Sequence, residues 1–164
     1  MFDLVGEIRG ETKLPAWALV LYRDPANPLF ANRDLITTNE ERDVILAETA
    51  LDGAGTLALT SAVTDMGHAQ FVEEILVRRL KARHLVVGWD FHYGHARVGN
   101  VTLLQEQLGK VDPSIKVTVV PPVMDGTEPI KSTTIRHFLT IGELARAMPS
   151  PSTWRRLRRS LWRG

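Results

Sequence analysis

Cysteine is absent from this chain of 164 residues. That excludes disulfides, thiolate metal sites and cysteine nucleophiles, while saying little about compartment. Also missing is any apolar stretch near the roughly eighteen residues that a membrane span needs. The N-terminus shows no basic segment followed by an apolar signal core, so a cytoplasmic location is the expectation. No repeat or low-complexity tract occurs apart from a Pro149-Ser150-Pro151-Ser152 spacer. What is present is 44% hydrophobic, enough at this length to bury the core of one domain. The net charge of +1 hides an asymmetry: Arg155, Arg156, Arg158, Arg159 and Arg163 crowd the last ten residues, which leaves fifteen basic side chains against nineteen acidic ones before them. Trp154, Leu157 and Leu161 share one helical face. Residues 149–164 therefore read as a basic amphipathic tail, either packed on the body with its arginines outward or turned to an anionic membrane or nucleic acid.

Two segments carry chemistry. Ile130-Lys131-Ser132-Thr133-Thr134-Ile135-Arg136 places hydroxyls and an arginine at a helix start. There the first backbone N–H groups lack intrahelical acceptors and the dipole contributes roughly half a positive charge. Ser132 and Thr133 can cap those amides or share them with a phosphate, and Arg136 projects from the next turn. Upstream, the β-branched run Val86-Val87 enters Gly88-Trp89-Asp90-Phe91-His92-Tyr93-Gly94, continuing through Arg97 to Gly99-Asn100. This is a loop of glycine, aromatics and charge between a strand and a helix. Taken alone, the helix start is an ordinary cap, Asp90 an ordinary turn residue, Lys131 either a solvated lysine or an added phosphate contact, and His137 a satisfied helix residue.

Together the two segments resemble the adenylyltransferase module of bacterial FAD synthetases, known by a G-x-D-F-x-F-G-x-x-R-x-G-N loop and a later I-S-S-T-x-I-R helix start. Here Tyr93 replaces the second phenylalanine of the loop and Lys131 the first serine of the helix start. The likeness runs from about Trp17 to about Ala147 and includes Phe71-Val72-Glu73-Glu74. It implies a Rossmann-like nucleotidyltransferase of the α/β class, mostly parallel in its sheet with helices on both faces, over residues 1–148. It also implies an activity, the transfer of AMP from ATP to FMN to give FAD and pyrophosphate. On this resemblance Ser132, Thr133, Thr134, Lys131 and Arg136 are the nucleotide-binding set, with Ser132, Thr133 and Arg136 acting in catalysis. Asp90, Phe91, Tyr93, Arg97 and Asn100 are the flavin-binding set, with Phe91 or Tyr93 against the ring and Arg97 near its phosphate. Magnesium accompanies the nucleotide, and no metal site built by the protein itself is expected. The family's riboflavin kinase domain has no counterpart before Gly164.

The family's front motif, H-x-G-H after the first strand, is not found near the N-terminus. Aligned there, Phe2-Asp3-Leu4-Val5-Gly6-Glu7-Ile8-Arg9 puts Gly6 and Arg9 where histidines belong. The seven or so residues before the Trp17 run are too few for a parallel crossover, which takes about a dozen or more. Residues 1–9 therefore read as a helix remnant or as an antiparallel strand, with the helix expected. A literal His92-Tyr93-Gly94-His95 falls inside the loop and reads as exposed loop histidines. Three readings stay open: a binding module without turnover, an enzyme using Arg9 or the 92/95 histidines instead, and a product whose start lies upstream.

Between the motifs, strands are expected at Trp17 to Tyr22, Thr56 to Thr60, His84 to Val87 and Lys116 to Val120. Helices are expected from Thr38 or Asn39 to Leu51, from His68 to Lys81, and from an Asn100 cap to Leu108, where Gly109 would end it. Alternating strands and helices point to a parallel α/β sheet with ligands beyond the strands' carboxyl ends.

Overall fold

The computed structural model describes residues 1–22 and 36–147; the tail read at 149–164 and most of the loop after Tyr22 lie outside them. The chain divides into two compact units. One comprises residues 1–20, 25–56 and 122–164, the other residues 21–24 and 57–121.

In the first unit the N-terminal segment is helix α1, Phe2–Thr12, which settles the choice against a strand. Lys13 closes it in the left-handed region at φ 58°, its N–H bonded to Arg9 O. Asp52 organises the entry to the first strand. Its carboxylate accepts Arg9 Nε at 2.7 Å, Arg9 Nη2 at 2.5 Å and the Ala16 amide at 2.8 Å. The Arg9 guanidinium and the Ala16 N–H together hold this carboxyl below the usual range. Strand β1, Trp17–Tyr22, pairs with β2, Gly53–Ala58. Asp52 N–H to Ala16 O at one end, in the first unit, and Leu59 N–H to Tyr22 O at the other, where both strands have entered the second, show that the two run in the same direction. The Trp17 ring lies over Gly53, where a Cβ would sit 2.6 Å from it. This contact leaves no room for a side chain at position 53, and the strand begins there, three residues before Thr56. Helix α2, Asn39–Ala47, opens on a complete Thr38/Glu41 capping box, as its sequence indicates. It ends before Leu51 because Thr49 Oγ1 and the Glu48 N–H both turn back onto Leu46 O.

In the second unit, α3 (Ser61–Thr64) and α4 (His68–Gln70) precede a π-helical stretch, Phe71–Arg79. Its wider turn shows where Leu80 N–H reaches Ile75 O. Strand β3, His84–Gly88, pairs parallel with β4, Lys116–Val120, in the register His84↔Lys116 to Gly88↔Val120. Helix α5, Val101–Val111, joins them and runs through Gly109 instead of stopping there. Its buried Leu104 and Leu108 hold it to the core, and the helix closes only when Asp112 N–H bonds Leu108 O. The core collects Leu57, Phe71, Val72, Ile75, Leu76, Tyr93, Leu104, Leu108 and Ile115.

Among the described residues the strands thus form three two-stranded sheets, two of them parallel pairs, rather than one continuous sheet. With residues 2–12 helical, the N-terminus supplies no strand to extend either pair. The third sheet is a hairpin in the first unit, β5 (Met124–Asp125) and β6 (Glu128–Pro129), turning on Gly126 at φ 63°.

Two measurements check this core. Leu104 is fully buried, so Leu104→Ala should cost about 2–5 kcal/mol in urea unfolding. His84 Nε2 meets Thr118 Oγ1 at 2.8 Å, while Nδ1 is buried without a partner. Burial, and secondarily Lys116, lower its pKa from 6.5. Since the unfolded chain takes up this proton first as pH falls, the stability gained from neutral His84 is complete above about pH 6.5 and is lost through the lowered folded value. Unfolding at pH 5 and 7.5 should show the protein weaker at pH 5, with the difference reduced in His84→Gln.

Candidate functional site

The loop between β3 and α5 is built from the core outward. Trp89 N–H to Val120 O extends the parallel ladder by one bond, and Phe91 N–H to Gly88 O turns the chain. Tyr93 and Gly99 exchange both backbone hydrogen bonds, at 3.1 and 3.0 Å, which closes residues 94–98 into a small loop with a 3-10 turn at His95–Arg97. Gly94 sits at φ 74°, and a Cβ there would lie 2.7 Å from the His68 Cα, so the loop rests directly on the start of α4. Ala96 and Arg97 also take positive φ, 52° and 58°, a strained geometry for residues with a Cβ.

The flavin-set residues read from the sequence fall into two groups here. Asp90 and Arg97 are exposed, and Phe91 is half-buried. Tyr93 departs from the expectation that its ring is open to a ligand: it is 5% exposed, a member of the core, packed between Phe71 and Phe91 at 5.6 Å from each. Burial pushes its phenol up to about 12. Asn100 spends its side chain as the α5 cap, accepting the Leu103 N–H at 2.9 Å. The histidines of the literal H-x-G-H are exposed loop residues. His92 Nδ1 meets the Asp90 carbonyl at 2.8 Å, and His95 Nδ1 lies 3.9 Å from Asp65. Arg9, aligned with the second histidine of the family's front motif, has its guanidinium engaged by Asp52.

The second segment lies in the first unit. Ile130 N–H to Val123 O carries the β5–β6 hairpin one bond further, and helix α6, Ser132–Thr140, starts directly after it. Lys131 is the N-cap residue, and its side chain makes no capping hydrogen bond. Ser132 and Thr133 are therefore the first two helical residues, not caps as their types suggest, and both are exposed. Thr134 and Arg136 are half-buried. Beside the helix start is a cavity of about 110 Å³ whose lining includes Asp125, Glu128, Lys131, Thr134, Phe138 and Arg146. Arg146 packs over the Phe138 ring at 4.3 Å and pairs with Glu143 at 2.7 Å. Sequence reasoning missed this wall; the Asp125-Gly126 dipeptide, a hairpin signal, was the available clue. No group of three metal-ligating side chains occurs among the described residues.

The sequence profile of FAD synthetase matches residues 1–134, from α1 into the α6 start. The chain belongs to the FAD synthetase family. Its fold is accordingly the α/β, Rossmann-type nucleotidyltransferase fold read from the sequence, with the parallel pairs as its visible part. An FAD synthetase of Listeria monocytogenes is 29% identical over 133 residues, covering 81% of this chain and 50% of that protein. A bifunctional riboflavin kinase/FMN adenylyltransferase of the same organism is 30% identical over 112 residues, 68% of this chain and 34% of that one. One of Pseudomonas fluorescens is 35% identical over 88 residues, 53% of this chain and 27% of that protein. The chain thus spans between about a quarter and half the length of these relatives. A crystal structure described as a macrolide-efflux protein from Streptococcus pneumoniae superposes at a TM-score of 0.65 with 21% identity, over 84% of this chain and 45% of that one. At that identity the likeness speaks for the fold alone.

The Gly94 contact is open to a direct check. Gly94→Ala must strain both a left-handed backbone and the His68 approach, so a loss of about 2 kcal/mol or more in urea unfolding is expected, against no loss for Gly55→Ala, where the space is open and the strand backbone suits alanine.

Proposed function

We propose that this chain is an FMN adenylyltransferase domain of the FAD synthetase type, transferring AMP from ATP to FMN to give FAD and pyrophosphate. The observation that carries the reading is the helix start after the β5–β6 hairpin: its N-cap residue makes no side-chain capping bond, and it bears Ser132, Thr133 and Thr134 in its first turn with Arg136 in the next. Its terminal amides, their positive dipole end and the Lys131 and Arg136 charges suit a polyphosphate. The FMN phosphate is already a nucleophile. The protein's task is to hold it in line with the α-phosphate of ATP and to offset charge on the departing pyrophosphate, a role that falls to Arg136, Ser132 and Thr133. On the flavin side, Phe91 offers an aromatic face backed by Tyr93, Arg97 a guanidinium for the phosphate, and Asp90 a hydrogen-bond acceptor, with Asn100 fixing the start of α5. Magnesium would arrive bound to the triphosphate and neutralise part of its charge. A cytoplasmic enzyme fits the lack of a long apolar helix among the described residues.

A second reading, a flavin- or nucleotide-binding module without turnover, is favoured by one specific observation. The Arg9 that stands where the family has a histidine is tied to Asp52, and positioned transition-state donors are commonly worth about a hundred- to a thousandfold in rate.

Incubation with FMN, ATP and magnesium, followed by chromatography, should yield FAD. Saturable FMN binding with no FAD above background rejects the enzyme in favour of the module. Arg136→Ala should weaken ATP binding about tenfold or more, with FMN binding unmoved, in calorimetric titration. Unchanged ATP affinity removes the phosphate role.

A further inference from the structure

The second unit contains a polar bridge that the flavin-loop pattern does not account for. The tyrosine at position 93 adds a hydroxyl that a phenylalanine lacks, and that hydroxyl donates to Gln107 Oε1 at 2.8 Å. Gln107 lies on the half-buried side of α5, and its amide nitrogen meets His68 Nδ1. The direction of the chain of bonds follows from chemistry. With Oε1 taken by the phenol, the nitrogen end of the amide faces the imidazole and can only donate, so His68 Nδ1 accepts and its ring proton sits on Nε2. The segment around His68 meets the loop twice more: His95 N–H bonds Met66 O at 2.8 Å, and Gly94 lies against the His68 backbone. Tyr93 in turn stacks on Phe91, with centroids 5.6 Å apart and planes 16° from parallel.

We infer that Gln107 is a positioning residue, which with His68 fixes the Tyr93 ring and through it the attitude of Phe91, the aromatic face offered to an isoalloxazine. That role rests on the flavin-binding reading of the loop. Phe91 is half-buried and packs against the core, and among the described residues Tyr93 is the aromatic ring stacked on it, so the seating of Tyr93 bears directly on its plane. Tyr93 is held by packing against Phe71 on one side and by its hydroxyl at the tip. Removing the acceptor leaves the phenol with an unsatisfied donor in a part-buried place. Such a group is relieved by turning toward water, and turning carries Phe91 with it. Replacing both partners by apolar groups removes the conflict, because packing alone then holds the ring.

The test uses the whole chain with three variants: Gln107→Leu, Tyr93→Phe, and the two combined. FMN affinity is read by quenching of flavin fluorescence, ATP affinity by calorimetry, and the His68 ring by nitrogen-15 NMR without ligand. Gln107→Leu should weaken FMN binding about tenfold, leave ATP affinity unmoved, and shift the His68 nitrogen signals away from the single pattern of an accepting Nδ1. The double variant should recover most of the lost FMN affinity. A general loss of fold would instead weaken both ligands and would not be rescued by a second substitution. FMN affinity within twofold of wild type in Gln107→Leu, or a double variant no better than that single one, overturns the positioning role. A wild-type protein that binds no FMN at all overturns the flavin reading itself. In that case the ligand-free NMR still decides the bridge, which fails if the His68 signals are the same with and without Gln107.

Discussion

The seating of the Tyr93 ring between Phe71 and Phe91 is the contact on which the second unit's shape depends. It joins three things at once: the apolar surface of the π-helical stretch, the loop that leaves β3, and α5 through Gln107. Burying an aromatic ring of this size contributes about 1.5–3 kcal/mol, and offset or tilted ring pairs add about 0.5–1.5 kcal/mol each, which together offset part of the cost of ordering the short loop. The two-way backbone pairing of Tyr93 with Gly99 then closes the loop on itself. Residue 99 must be glycine there, since a Cβ would meet the Tyr93 ring at 2.7 Å. The strain at Ala96 and Arg97 is tolerated because both ends of the small loop are fixed.

The first unit has a polar counterpart in Asp52. One carboxylate satisfies a helix arginine and a strand-entry amide, while its own backbone N–H begins the β1–β2 pairing. An exposed ion pair contributes little by itself, in the region of 0–1 kcal/mol. Its value here is geometric: it sets where α1 ends relative to where β2 begins. This also gives a physical account of Arg9. In the alignment it stands in place of a histidine, but in the fold it is a tether.

Local rules found the elements whose causes are local. The capping box at Thr38 and Glu41 marks the α2 start, and Asn100 marks the α5 start, since in each case the side chain and the amide it satisfies are three residues apart. The β-branched runs at Val86-Val87 and Val119-Val120 mark paired strands. The ends were less legible. Gly109 reads as a stop, yet α5 continues because Leu104 and Leu108 anchor that face in the core. Ser132 and Thr133 read as caps, yet the hairpin before them delivers the chain so that Lys131 takes that place. The π-helical widening at Phe71–Arg79 left no trace in the residue pattern.

The sequence by itself determined the family, through two motifs whose residue types and order are specific, and with the family the α/β class and the ligand chemistry to be tested. It also determined the helix starts and the strand cores, because those arise from neighbours a few positions apart. Only the tertiary structure decided which motif side chains remain available. Tyr93 and Phe91 are both aromatic and two residues apart, and no local rule separates them. The packing of Phe71 assigns one to the core and leaves the other half open. Asp52 and Arg9 are 43 positions apart, as His68 and Gln107 are 39 apart, and contacts at such range exist only once the chain has folded.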